Sequence, residues 1–544
     1  MMRRGHGIVV VLVASAALAC GDAGRQPVAS GATREDTSRG VEEVRDFARR
    51  YTAAWNSGEP GNVAAFFAED GSLTVNDSQP AVGSAAITEV ARGFMTGFPD
   101  MVLLFDGLEP AGDRVSFHWT FVGTNTGPGG SGQRVRFSGY ESWRFDRDGL
   151  IADSLGHFDA AEYERQLENG VDSYLYVWAG DPDEDDADFL AVIDASPDSA
   201  RFGEVLSTVT VGASAGAHHS EHVMPSGGRL VVNGFTAGRS WVIDVRDPLH
   251  PSVAASFEGA GPYTSPHSFD RTPDGNVLAT FQYYGGDTDT AGGLVELDPE
   301  GRFIRGSDAA DAADPELHPY SLAIAPELDR VLTTTSDMSM RHEGRSVQIW
   351  SLSGLELLHT VLLPPGPQGD EHLNPAEPRF LPDGSAIVNT FNCGLYLLTD
   401  IAGDAPQAEF IGSLPRDPGS TEECSLPVLF NDYWVQTSDP LHAMGVFDIN
   451  DPRHPVQVDE LRFAGDATPH WLSRERGTNR IVMTGGGADL QGMVVLVEID
   501  PTSGKLAIVE GFGAAGAIGV DMRRQDWPHG SSGPAIPHGA VFSR

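Results

Sequence analysis

This 544-residue sequence is poor in cysteine, and its basic residues are far outnumbered by acidic ones. Lys and Arg together number 36 against 77 Asp and Glu, for a formal net charge of -41. A surface that acidic repels phosphate backbones, so nucleic acid is excluded as a natural partner. It also repels anionic lipid, which excludes membrane attachment through basic patches. Cysteine occurs at 20, 393 and 424 only. The last two can pair in an oxidising compartment or stand as separate buried thiols, and the sequence leaves both open. Beyond the first twenty residues no stretch is long and apolar enough to span a bilayer. Long amphipathic helices are scarce beyond residue 170. Gly, at 64, and Pro, at 36, are plentiful, and many turns imply many short strands. The length predicts two or more domains.

The first residues carry an export pattern. Arg3 and Arg4 precede an apolar run, Ile8 to Leu18, too short for a transmembrane helix. The run ends in Ala17-Leu18-Ala19-Cys20-Gly21. This resembles the bacterial lipoprotein signal, although Leu usually stands one position earlier. The resemblance implies a signal peptide at 1–19, a lipid on Cys20, and a Gly-, Ser-, Ala- and Thr-rich tether over 20–40. The expected location is the cell envelope, facing the periplasm or exterior, with membrane contact through the lipid only. An ordinary cleaved signal with an incidental Cys is the alternative.

From 41 to 168 the pattern is helical and then alternating. Val44, Phe47, Ala48, Tyr51 and Trp55 form one apolar stripe at helical spacing. Asn62 to Ala68 reads as a short second helix ended by Glu69-Asp70-Gly71, and Gly83 to Phe98 as a third. Val115, Phe117, Trp119 and Phe121 then alternate with polar residues, and Arg134 to Phe145 and Leu150 to Phe158 continue as strands. Helices followed by an antiparallel meander predict an α+β domain. "YTAAWNSGEPGNVAAFFAEDGSLTV", "VGSAAITEVARGFM" and "GYESWRFDRDGLIADSLGHFD" resemble the SnoaL-like polyketide cyclases of the nuclear transport factor 2-like superfamily. That resemblance implies a curved sheet wrapped by helices around a conical pocket. Superfamily enzymes use a buried carboxylate or His for proton transfer. The pocket candidates here are His118, Tyr140, Asp153 and His157, and the face carrying His118 is either the cone interior or the solvent side. A binding or structural role without chemistry is the expectation preferred over isomerase or cyclase activity.

From 171 to 544 short β-rich runs recur between Pro-Asp-Gly, Gly-Gly and Asp-Pro turns. "VIDVRDPLHPSV" at 242–253 returns as "VFDINDPRHPVQV" at 446–458, "LVELDPEGRF" at 294–303 as "LVEIDPTSGKL" at 496–506, and "TPDGNVLATF" at 272–281 as "LPDGSAIVNTF" at 381–391. Such units cannot bury an apolar face alone and must stack or close, which predicts an all-β propeller, seven-bladed for this length, with six or eight blades as alternatives. "YVWAGD" at 176–181, "AHHSEH" at 217–222, "SPHSFDRTPDG" at 265–275 and "NPAEPRFLPDG" at 374–384 resemble, in order and spacing, the selenium-binding protein family, whose members include methanethiol oxidases. The departures are specific. Glu221 to Met224 replace the family's Cys-bearing stretch, Asp270 and Arg271 replace a His and a Cys, and the Cys-rich ending is absent. Selenium binding through that thiol is therefore not expected.

Seventeen histidines are present. His218, His219, His267, His318, His470 and His538 mostly stand where a loop leads into a strand, and His267, His470 and His538 each follow a Pro. Equivalent positions in successive blades point at the central channel, where imidazoles from distant segments can share one metal. The predicted ligands are His218, His219, His267, His470 and His538. Imidazole-rich, sulfur-poor sites suit copper, zinc, iron or nickel. The resemblance implies copper, and oxidation of a small thiol by oxygen to an aldehyde, hydrogen sulfide and peroxide. A non-catalytic binding or scaffolding propeller is the competing expectation. His250 and His454, in the repeated Asp-Pro-x-His-Pro turns, are excluded as surface residues; His222, His372 and His529 are left undecided. Glu377 and Arg379 are expected to form a buried polar pair.

Overall fold

A computed structural model describes residues 41–112, 114–169, 172–225, 227–311, 317–417, 423–487 and 490–543. Cys20, the signal peptide and the tether lie outside the described residues. The chain divides into two compact units, with the boundary between residues 171 and 172.

The first unit is α+β. Helix α1 (Val41–Asn56) buries the stripe read from the sequence, Val44, Phe47, Ala48, Tyr51 and Trp55. The second helix, α2, is Pro60–Ala64 and not 62–68. Pro60 supplies a preset φ at the helix start, and the chain is already extended at Phe67. Strand β1 (Phe67–Val75) therefore takes in the Glu69-Asp70-Gly71 segment expected to end a helix, with an irregularity between Phe67 and Ser72. After β2 (Ala81–Val82) comes α3 (Gly83–Gly97), then the antiparallel meander β3 (Val102–Ala111), β4 (Arg114–Thr124), β5 (Arg134–Phe145) and β6 (Ile151–Phe158). A last helix, α4 (Ala160–Asn169), was not anticipated. The sheet order is β2-β1-β6-β5-β4-β3, with β1 parallel to β6. One sheet face packs on the helices through an aromatic core in which Tyr51, Phe117 and Trp143 are fully buried.

The second unit is propeller-like. Its described residues form seven antiparallel sheets of four or five strands, each strand usually pairing with the next in sequence. The main exception is the first sheet, in which the C-terminal strand Ile536–Phe542 pairs with Tyr174–Gly180 ahead of Phe189–Asp194 and Val205–Thr210. The repeats noted in the sequence fall at matching places. The Asp-Pro-x-His-Pro segments link third to fourth strands in the second and sixth sheets, and the Pro-Asp-Gly turns link the innermost strand to the next in the third and fifth. The innermost strands are Ile536–Phe542, Ala217–Ser220, Tyr263–Arg271, Pro319–Ala325, Pro375–Phe380, Pro427–Phe430 and Thr468–Arg474. Each neighbours that of the next sheet, and Thr468–Arg474 neighbours Ile536–Phe542. Middle strands are buried on both faces, whereas outer strands such as Ser252–Phe257 and Val456–Arg462 are largely open to solvent. Cys393 and Cys424 are disulfide-bonded, with Cα atoms 4.9 Å apart, which settles the alternative left open by the sequence. Among the described residues no helix is long and apolar enough to cross a membrane.

Candidate metal centre and a second pocket

Six of the seven innermost strands carry the same defect. Register slips between Ala217 and Ser220, Pro266 and Phe269, Pro319 and Leu322, Pro375 and Pro378, Pro469 and Trp471, and Pro537 and Ala540. Proline has no N–H to give to a ladder, so within a sheet it collects at edges and bulges. A bulge in turn re-aims the side chain beside it. The residue after the proline is His267, Tyr320, Ala376, His470 or His538, and His218 holds the same place after Ala217. Local strand chemistry thus turns histidines of four sheets out of the regular alternation and toward one another.

His218 and His219 stack with ring centroids 4.2 Å apart; His267 lies 5.1 Å from the first and 4.4 Å from the second. One ring nitrogen from each of these three lies within 4.8 Å of the other two. His538 stands 4.4 Å from His218, and His470 stands 4.8 Å from His538. The five predicted ligands are therefore brought together, with His470 reached through His538. Gly539 makes the approach possible, because a Cβ there would meet the Ser220 backbone nitrogen at 2.5 Å.

Hydrogen bonds fix the imidazoles. His267 Nδ1 donates to the Tyr320 carbonyl at 2.9 Å, since that oxygen can only accept; His219 Nδ1 meets the Ser268 hydroxyl at 3.2 Å and His470 Nδ1 the Ser425 hydroxyl at 2.9 Å. Nε2 of His219 and His267 and Nδ1 of His218 and His538 are buried with no hydrogen-bond partner among the described residues. An unpaired buried ring nitrogen is costly, and a metal ion is one partner that uses its lone pair. Burial, reinforced by the neighbouring histidines, holds His218, His219 and His538 well below the usual imidazole value. Burial also brings His267 down to about 3 and His470 to about 4. All five are neutral at pH 7, the form that ligates. The donor set fits a borderline transition ion. A cavity of about 220 Å³, bordered by His470, His538, Thr468, Thr484 and Asp439, opens beside the cluster.

Around the ring, the residues that replace the family's pattern have structural partners. Arg271 grips Glu221 at 2.6 and 3.0 Å, and Glu377 pairs with Arg379 at 2.7 Å. Burial pushes the Asp270 carboxyl up to about 6. His222 stacks on Trp471 with centroids 4.4 Å apart, outside the five. His250 and His454 are exposed and bonded to Asp247 and Asp451 of their own turns. His529 bonds Thr208 and Ser532.

In the first unit the four sequence candidates do not line the pocket. On β4, β5 and β6 the pocket-side parity is Phe117, Trp119 and Phe121; Phe137, Glu141 and Trp143; Ser154 and Gly156. His118, Tyr140 and His157 have the opposite parity and form a cross-strand row on the outer face, where His118 lies 3.6 Å from Glu109. Asp153 shares that face and pairs with Arg114 and Arg144. The carboxylate that does reach the pocket is Glu141, which the sequence reading missed. It is buried and accepts from the Tyr51 hydroxyl at 3.1 Å, the Trp143 indole at 2.9 Å and the Ser154 hydroxyl at 2.6 Å. Burial raises its pKa despite those three donors. The cavity is narrow, about 50 Å³, and otherwise apolar, lined among others by Trp55, Phe94, Trp119, Phe121 and Phe137. The Trp119 indole N–H has no hydrogen-bond partner among the described residues.

An α+β unit and a propeller-like set of β-sheets with a histidine cluster thus occur in one sequence as two kinds of fold. Residues 45–167 match the family described as SnoaL-like polyketide cyclase and are a SnoaL-like domain. The C-terminal region matches methanethiol oxidases in sequence and a selenium-binding protein in fold. A methanethiol oxidase of a Hyphomicrobium species is 24% identical over 331 residues, covering 54% of this chain and 71% of that protein. The methanethiol oxidase of Ruegeria pomeroyi is 30% identical over 146 residues, 25% of this chain and 32% of that protein. The crystal structure of a hypothetical selenium-binding protein from Sulfolobus tokodaii superposes with a TM-score of 0.57 over 70% of this chain and 95% of that one, at 16% identity. That likeness bears on the fold alone.

Proposed function

We propose that the seven sheets are the blades of a closed propeller, and that its histidine cluster binds copper and oxidises a small thiol. The observation that carries this reading is the convergence of His218, His219 and His267, joined by His538 and His470, with buried ring nitrogens that have no hydrogen-bond partner among the described residues. Copper at such a site supplies a redox centre that oxygen can reoxidise. Overall, a primary thiol, oxygen and water give an aldehyde, hydrogen sulfide and hydrogen peroxide. The Tyr320 carbonyl holds His267 in the tautomer whose Nε2 can ligate, and Ser268 orients His219. Trp471, with its indole 5.1 Å from His219, walls one side of the cluster, and the cavity beside His470 and His538 gives a small substrate room. Homology to methanethiol oxidases supports the thiol. The disulfide and the export pattern support an oxidising location at the cell envelope, with Cys20 as a lipid anchor.

The first unit has its own reading as a small-molecule-binding domain. A narrow aromatic cavity holding one buried carboxyl and, among the described residues, two indole N–H groups without partners, those of Trp55 and Trp119, suits an apolar molecule with a carbonyl or similar acceptor.

Copper content and oxygen uptake with methanethiol test the main proposal. The wild-type chain is expected to hold copper and consume oxygen, and His218→Ala/His219→Ala to lose the oxygen uptake and one copper per chain while keeping its melting transition. A wild-type chain that binds no transition metal at neutral pH leaves the scaffold alternative as the better account.

A further inference from the structure

His318 breaks the pattern of the ring. It precedes its proline, Pro319, where the ring histidines His267, His470 and His538 follow theirs. Its environment differs accordingly. Nδ1 lies 2.9 Å from the Gln282 carbonyl oxygen, which can only accept, so the proton sits on Nδ1 and the lone pair on Nε2. Nε2 is buried with no hydrogen-bond partner among the described residues, on a residue that is 2% exposed.

Two more donors come from the loop that follows the strand Arg330–Thr335. His342 places its ring centroid 5.2 Å from that of His318. Asp337, 8% exposed, is held by the Ser339 N–H at 2.8 Å and hydroxyl at 2.7 Å, and by the N–H groups of Arg341 and His342 at 3.0 and 3.1 Å. One ligand atom from each of His318, Asp337 and His342 lies within 4.8 Å of the other two. None of the three belongs to the five-histidine cluster.

We propose that His318, Asp337 and His342 form a second metal site, separate from the cluster, for a divalent first-row transition ion. Two imidazoles and a carboxylate suit zinc, cobalt or ferrous iron, and three protein ligands leave a position for water. The carbonyl bond at Nδ1 orients His318 in the way that ligating histidines are usually oriented. The loop's N–H groups fix the carboxylate before any ion arrives. Asp337 accepts one further bond, from the Tyr283 hydroxyl, at 3.2 Å the longest of its five. That is the bond an ion displaces. The site stands whatever the cluster proves to do.

The test uses the full chain, stripped with chelator and given cobalt(II) alone as probe, with visible absorption and cobalt per chain as readouts. His218→Ala/His219→Ala is expected to retain one cobalt with four-coordinate d–d bands. His318→Gln and His342→Gln are each expected to weaken that binding by about tenfold or more, at an unchanged melting temperature, and Tyr283→Phe to leave it equal or tighter. Absence of cobalt in the folded His218→Ala/His219→Ala chain overturns the inference, and so does binding there that neither His318→Gln nor His342→Gln weakens. A wild-type chain whose single cobalt survives His218→Ala/His219→Ala but is lost with His318→Gln supports this site and sinks the cluster as a metal centre.

Discussion

The two units bury polar groups under opposite conditions. In the first, Glu141 brings a carboxylate into an aromatic core and receives three donors, from Tyr51, Trp143 and Ser154. In the second, four buried imidazole nitrogens of the five-histidine cluster have no hydrogen-bond partner among the described residues. A satisfied group stabilises its surroundings and is costly to remove; an unsatisfied one does the reverse, and marks where a ligand is the missing partner. The kind of orphan also matters. Lone pairs in the ring ask for a Lewis acid, whereas the N–H of Trp119 asks for an acceptor.

Acid is the strongest way to separate the two. Burial depresses the ring histidines, so as pH falls below 6.5 the unfolded chain takes up protons that the folded one refuses. The second unit, stripped of metal, therefore loses stability from about pH 6.5 downward. His267, moved to about 3, accounts for on the order of 4 kcal/mol by the bottom of that window, and because the five are coupled their losses do not simply add. Glu141 acts with the other sign. Its folded pKa is raised, so its contribution is present below the ordinary carboxylate value and is lost as pH rises through the folded one. Amide hydrogen exchange at pH 7 and pH 4.5, with chelator, reads each unit separately. Equal loss of protection in both units breaks the comparison.

Glu141→Ala strands three donors around a new hole and is expected to cost the first unit about 3–5 kcal/mol. Denaturant unfolding measures it, and a cost under about 1 kcal/mol contradicts the satisfied-carboxylate reading. His219→Ala in metal-free protein is the smallest effect expected, below about 2 kcal/mol, because Nε2 has no partner among the described residues and only packing and the Nδ1 bond to Ser268 are lost. With metal bound the same change is expected to cost more, and a gap that does not widen on adding copper counts against the centre.

Part of this was legible in the sequence. The stripe on α1, the β-rich repeats and the five histidines could be read because each rests on spacing or on a residue's neighbours. Position in three dimensions was not recoverable the same way. Tyr140 and Glu141 differ by one residue on β5, and alternation sends them to opposite faces. The signal that separates them was present in Trp143, an apolar residue of Glu141's parity. The second helix was misplaced because the run from Asn62 to Ala68 suits a helix locally, while the pairing of β1 with β6 comes from eighty residues further on. His342 gave no signal, since it meets His318 only through a loop whose path the sequence does not specify.

The strand Ile536–Phe542 has a consequence for biosynthesis. It completes a sheet begun by Tyr174–Gly180, and the bond between the Tyr174 N–H and the Ser543 hydroxyl spans 369 residues. It also delivers His538. A nascent chain emerging from the ribosome or a translocation pore can form its middle sheets in order, but neither the first sheet nor the histidine cluster is whole until this last segment arrives. A metal bound as proposed is therefore captured only after this strand is made, and a chain terminated before it has an open sheet edge and lacks His538.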